Sequence, residues 1–395
     1  MNLPICNLIF IFLHNLNKEN KRKGNNMRRQ FLPWIESRKR KLDWRYLSFC
    51  MLDVNILEQN QEKINWNSLS YNNDAITLLE KNIEKNNCWI LSRNIYVIYI
   101  LETILYGIYR WFLSKTENVD KVNWDNLSMN INAISILGKN IFKVNWEYLS
   151  GNINAIPILE KNLYKVDWTY LSNNINAISI LEKNLDKVDW YYLSSNINAI
   201  SILEKNLDKV YWKYLSNNTN AIHILEKNLD KVNWRYLSRN TEAIHILEKN
   251  LDKVDWDELS ENFSAISILE KNLDKVNWIY LSLNINAIPI LEKNLDKLDW
   301  MYLSRNINAI SILELNLDKV DWYYLSSNIN AISILEKNQD KINFKELSRN
   351  TNIYIYDYNY YRKRMDLYRE ELMKKVFHPN RLIYYLELGY DFFDM

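Results

Sequence analysis

VDWYYLSSNINAISILEKNLDK, residues Val188–Lys209, is one copy of a phrase that recurs with small changes along most of this chain. From Trp124 to Trp322 a tryptophan falls every 22 residues, and Phe344 takes the next place. Trp44, Trp66 and Cys88 keep the same spacing earlier in the sequence. A fixed short period marks a stack of identical supersecondary units, none of which can bury its apolar face alone.

Within this copy, Asp189 directly precedes Trp190, where a short polar side chain can accept from the free N–H groups of a helix start. Trp190, Leu193 and Ser194 follow at one-turn spacing, which predicts a short first helix from about Trp190 to Ser195. Asn198 is placed to cap a second helix, Ala199 to about Lys205, with Ala199, Ile200, Ile202 and Leu203 on its inner face. Asn206 reads as a left-handed exit residue, and Leu207 and Val210 anchor the connector. Pro157 and Pro289 replace the serine at the Ser201 position. Proline is tolerated in a first helical turn but breaks a strand ladder, so both substitutions favour helices.

These observations predict an all-α fold: an α-solenoid of about 14 stacked short helix pairs, 22 residues per repeat, with an elongated body and a helical C-terminal cap. The tryptophan column reads as a buried spine, because each such side chain can remove roughly 150–250 Å² from water. The asparagine columns at Asn174, Asn196 and Asn218, and at Asn184, Asn206 and Asn228, read as caps and as ladders joining equivalent loops. Glu204, Lys205, Asp208 and Lys209 recur on the solvated side as modest ion pairs. A leucine-rich-repeat reading through Ile175, Ile178, Ile180 and Asn184 is the competing architecture, with its asparagine one place off the usual pattern.

The expected organisation is a disordered or non-native N-terminal extension over 1–30, a repeat array over 31–350, and the cap over 351–395. Met27 is an alternative start. Between the Leu-Ser pairs at 91/92 and 127/128 the spacing is 36 residues rather than 22, which places an irregular insertion near 93–118. The segment Ile95–Leu113 approaches the length of a membrane span. Glu102 and Arg110 lie within it, and Leu101-Glu102 keeps the register of Leu79-Glu80, so a degenerate repeat is the preferred reading and a membrane anchor the alternative. After Arg349 the chain becomes tyrosine-rich, with Pro379 placed to open a last helix and Gly389 to close it.

Fifty basic against 48 acidic residues give a formal charge of +2, so no field of one sign draws the chain to nucleic acid or an anionic surface. Three cysteines, Cys6, Cys50 and Cys88, an odd number with no paired spacing, fit a reducing intracellular compartment. Arg38–Lys41 is a short basic run of the kind found on nuclear addresses and on ordinary loops. No phosphate loop, zinc spacing or hydrolase motif is present in the sequence. His223 and His245 lie one period apart, which is too far for one metal without further ligands. No catalytic, cofactor-binding or metal site is assigned, and no cofactor is expected.

The phrase built on Asp189-Trp190, Leu193-Ser194, Asn196, Asn198-Ala199-Ile200 and Leu203-Glu204 resembles repeat proteins encoded in quantity by large nucleocytoplasmic DNA viruses. Those usually read Asn-Pro-Asn-Ala-Ile where this chain has Asn196-Ile197-Asn198-Ala199-Ile200. Leu32-Pro33-Trp34-Ile35 before Leu42-Asp43-Trp44 is similar to their leading element, and Phe377–Arg381 with Leu386–Asp391 to their terminal one. The resemblance spans roughly 30–395 and implies a viral setting, with the host cytoplasm, the nucleus or the virion as candidate locations, and no activity.

Function in such an array lies where the repeats differ. The outward positions of the first helix, those of Tyr191 and Ser195, become Arg235 and Arg239, then Asp257 and Glu261, then Ile279 and Leu283, then Met301 and Arg305. Leu315 replaces the outward lysine of a second helix. Apolar residues where the architecture expects charge predict a protein-binding surface at Ile279, Leu283, Met301 and Leu315, rimmed by Asp257, Glu261, Arg235 and Arg239. The expected function is a non-enzymatic scaffold for protein–protein interaction, with no nucleic-acid partner.

Overall fold

The computed structural model describes residues 29–50, 54–82, 85, 87–96, 98–106 and 122–357. It is an all-α solenoid of short helix pairs at the 22-residue period, with one small two-stranded sheet among the described residues. The chain divides into two bodies. The larger comprises Arg40–Met51 and Lys63–Thr351, and the smaller falls within Met1–Lys39, Leu52–Glu62 and Asn352–Met395.

In the Trp190 repeat the first helix is Trp190–Leu193 and the second Ile200–Glu204. Helices this short have no independent stability in water; a common core and a common polar ladder hold them. The core is built from Leu193, Ala199, Ile202, Leu203 and Val210, all buried, and from their equivalents along the array. Ile175 lies in a turn, Ile178 and Ile180 lie in the helix Ile178–Glu182, and Asn184 follows it, so the architecture of a leucine-rich repeat is not adopted.

The ladder explains why serine and asparagine are needed in each repeat. Ser194 is buried, and its hydroxyl donates to Trp190 O at 2.7 Å while accepting from the backbone N–H of Tyr211 in the next repeat at 2.9 Å. Asn196 is also buried. Its amide donates to Ser172 O and Asn174 O of the preceding repeat at 3.0 and 3.2 Å, and its Oδ1 accepts from Asn198 N at 3.0 Å. Buried carbonyls between stacked helix ends are thus satisfied without water.

Three local expectations change. Asp189 does cap the first helix, accepting from Tyr191 N, but no side chain caps the second, whose N-cap is Ala199. Asn198 instead donates across to Ile175 O at 2.9 Å. Nor is the asparagine exit left-handed: at the Asn206 position of other repeats, Asn140 and Asn316 have φ of −128° and −133°. Asn206 serves by its amide, which donates to Ile202 O at 2.8 Å and closes the helix. The tryptophans, finally, are half-buried. Lys209 places its ammonium 5.2 Å from the Trp190 ring centroid, and the same contact recurs along the array, so the column is a seam under lysine rather than a buried spine.

The larger correction concerns the ends. The open, elongated array expected from the period is not formed, because the last first helix and the earliest one are bonded as consecutive repeats. Asp43 N–H donates to Ser348 Oγ at 2.7 Å, the bond that Asp189 makes to Ser172 and Asn65 to Ser48. Lys41 covers the Phe344 ring at 5.0 Å, as Lys63 covers Trp44 and Lys341 covers Trp322. Cys50, at the asparagine position, donates its Sγ to Ser348 O at 3.6 Å, as Asn72 does to Ser48 O. Fourteen first helices, from Trp44 round to Phe344, therefore form a closed circuit within the larger body. The insertion does not interrupt it: Asn123 N–H donates to Ser92 Oγ and Asn130 to Ser92 O.

In the smaller body β1 (Arg29–Phe31) pairs antiparallel with β2 (Tyr354–Tyr356), with Phe31 opposite Tyr354, and Leu32 N–H donates to Ile353 O at 3.0 Å. The helix Pro33–Glu36 follows, with Pro33 in its first turn. Most of the expected N-terminal extension and of the C-terminal cap, including Pro379 and Gly389, lies outside the described residues. The helix Ile98–Tyr106 keeps the register read from Leu101, which is fully buried; residues 107–121 lie outside the description. Among the described residues no helix is long and apolar enough to cross a membrane.

Candidate functional site: the outward stripe of the first helices

With the core and ladder fixed, three positions of each first helix remain variable: those of Tyr191, Tyr192 and Ser195. The stacking sets their geometry. The first residue of one repeat and the third of this set reach the second residue of the following repeat. Tyr191 hydrogen-bonds to Tyr214, with ring centroids 4.2 Å apart. Lys213 sits over Tyr236 at 5.1 Å, Arg305 over Tyr324 at 5.4 Å, and Arg349 over Tyr46 at 4.1 Å across the closure.

Arg235 and Arg239 meet at one carboxylate. Glu258, which stands in the tyrosine column, accepts from Arg235 at 2.9 Å and pairs with Arg239 at 3.1 Å. Its departure from tyrosine is visible in the sequence; that both arginines reach it follows from the stacking of neighbouring repeats. Asp257 is exposed and accepts from the Asn277 amide at 2.8 Å, and Glu261 is exposed. The stripe thus passes from a charge-paired section into an apolar one. Ile279 and Met301 are 44% and 38% exposed, and Leu283 is half-buried. Leu315 projects furthest, at 85% exposure, but from a second helix. It occupies a lysine place in the ladder of ion pairs that includes Lys293–Glu270 and Lys337–Glu314, so it belongs to a different stripe from Ile279 and Met301.

Electrostatics along the stripe are local. The Tyr214 hydroxyl raises the Tyr191 phenol above its ordinary range, and the carboxylates of Glu147 and Glu346 do the same for Tyr170 and Tyr323. His223 and His245 each pair at 2.6 Å with a glutamate of the preceding repeat, Glu204 and Glu226. Among the described residues no group of His, Cys, Asp and Glu is arranged to hold a metal ion.

A cleft of about 650 Å³ at the closure was not foreseen. Arg45, Tyr46, Phe49, Cys50, Ser68, Tyr71 and Arg349 line it. It opens because Ser68 takes a place where most repeats carry tyrosine, and Cys50 one where they carry asparagine. Its charges are already matched: Arg45 grips Asp43 through two hydrogen bonds of 3.3 and 2.9 Å, holding that carboxyl below its usual range, and Arg349 pairs with Glu346 at 3.5 Å. Burial holds the Cys50 thiol above its ordinary value. The lining offers packing surface and no nucleophile–base pair.

The chain matches no protein-family model, no curated protein and no solved structure.

Proposed function

We propose that the protein is a repeat scaffold that binds another protein through the outward stripe of its first helices. One contrast carries this reading. The buried leucine, alanine, serine and asparagine columns scarcely change from repeat to repeat, whereas the outward positions run from Arg235 and Arg239 through Asp257 and Glu261 to Ile279 and Met301. Folding needs only the first set. An apolar stretch at Ile279 and Met301, next to charged neighbours, has the composition of an interface core with a polar rim. Its partner is expected to present an apolar anchor flanked by charge.

The test compares the full chain with Ile279→Lys/Leu283→Glu and with a control pair changed at Thr169 and Asn173. The first variant should keep its melting temperature and lose the proteins the wild type captures, while the control keeps them. Identical capture by all three would reject this surface.

A further inference from the structure

The connectors between repeats carry a second departure from the pattern, on an edge that the first-helix stripe does not use. Repeats from Trp168 onward place aspartate before the connector lysine, as in Asp186-Lys187 and Asp208-Lys209. Two consecutive repeats do not. Phe142 precedes Lys143 and Tyr164 precedes Lys165, and these rings are 77% and 81% exposed, the most exposed aromatic side chains among the described residues. Leu163 beside them is exposed as well.

The charge changes at the same place. Gly138 stands where the repeat has glutamate, so residues 134–144 hold Lys139 and Lys143 and no acid, while 156–166 hold Glu160 against Lys161 and Lys165. Packing does not require that glycine: a Cβ there would meet nothing within 4 Å. Lys143 lies over both Trp124 and Phe142, at 5.0 and 6.0 Å, and Lys165 over both Trp146 and Tyr164, at 5.0 and 5.5 Å. Three lost acids and two gained rings, in adjacent repeats, convert a neutral polar edge into one that is basic and aromatic.

We propose that this edge docks on an anionic lipid surface. Aromatic rings with neighbouring lysines are the composition that settles at the boundary between headgroups and acyl chains, and clustered lysines are drawn to anionic headgroups. The rings project from connector tips, as entry into an interface needs. One face of each ring already lies under an ammonium, which leaves a single face of each for any stacked nucleobase. The handful of cations is also few for nucleic acid, where affinity grows with each phosphate neutralised.

The experiment is flotation of the full chain with phosphatidylcholine vesicles, with or without about 30% phosphatidylserine, at about 0.1 M salt. The chain should float with the anionic vesicles and at least about tenfold less with the neutral ones. Phe142→Asp/Tyr164→Asp restores the repeat's own residues, so its circular dichroism should match the wild type while flotation falls about tenfold. Gly138→Glu and Lys161→Glu should each weaken flotation, and Leu315→Lys, on the other stripe, should not. Absence of flotation with anionic vesicles overturns the proposal, as does a folded double variant that floats like the wild type. Patch-dependent binding of a single-stranded oligonucleotide, or patch-dependent dimerisation, without flotation also overturns it.

Discussion

The backbone N–H of Asp43 donates to the hydroxyl of Ser348 at 2.7 Å, across 305 positions of sequence. The bond is chemically the one that joins Asp189 to Ser172 at 2.9 Å, 17 residues apart. A solenoid whose ladder ends on its own beginning exposes no terminal core face within that circuit, so the larger body needs no capping helix to cover one.

Ser348→Ala should therefore cost as much as Ser172→Ala. Each leaves a part-buried N–H without its acceptor, a loss of about 1–3 kcal/mol. Chemical denaturation of the two variants checks this; a neutral Ser348→Ala would mean that the closing bond contributes nothing.

Asn196 and Asn198 are two residues apart and should differ sharply. Asn196 is buried and makes three bonds, so Asn196→Ala should destabilise by about 2–4 kcal/mol. Asn198 is exposed, and other repeats replace it with Glu242 or Ser264. Asn198→Ala should cost about 1 kcal/mol or less. Thermal or denaturant midpoints resolve a gap of that size.

Tyr211 is the one residue in the cap column that is neither aspartate nor asparagine, and its helix Trp212–Leu215 has no side-chain cap. Tyr211→Asp should stabilise by about 1 kcal/mol. A lower denaturation midpoint in that variant would show that the packing of Tyr211 on Tyr191, at 5.6 Å, outweighs the cap.

Cys50 predicts a pH effect. Burial raises its thiol above the ordinary 9.0, so the folded state holds its proton after the unfolded chain has lost it. The stabilisation is complete below the unfolded value and declines as pH rises through it toward the folded value. Cys50→Asn restores the ladder's amide and should remove this alkaline loss. Denaturation of both proteins from pH 7 to 10 gives the comparison; parallel curves would place the titration elsewhere.

Much of this fold was legible because the repeat states it again and again. Trp190, Leu193-Ser194 and Asn196 mark the helices and the ladder by spacing, and Pro157 and Pro289 exclude strands. Leu101 kept its register through an irregular stretch for the same reason. The closure was written less openly. Glu36 and Leu42 are spaced as Glu204 and Val210 are, and Pro33 occupies the Pro157 place, so the residues before Asp43 continue the pattern backwards. What no local pattern states is that Lys41 meets Phe344, since sequence spacing is silent about residues 303 apart. The tryptophan column was misread because size suggested burial, whereas the partner was the lysine 19 residues on. The outward stripe was legible by subtraction from the periodic core, but the junction of Arg235 and Arg239 on Glu258 depends on the stacking of neighbouring repeats.

Closure itself is tested most directly by a distance. In a background carrying Cys6→Ser, Cys50→Asn and Cys88→Trp, spin labels at Arg45→Cys and Lys345→Cys occupy equivalent outward positions of the first and last repeats. A reference pair at Tyr191→Cys and Lys213→Cys occupies the same positions of two internal neighbours. Stacked neighbours lie about 8–10 Å apart, so dipolar broadening of the continuous-wave spectrum should be the same for both pairs. An unbroadened spectrum for the 45/345 pair, beside a broadened one for the reference pair, would contradict the closed circuit.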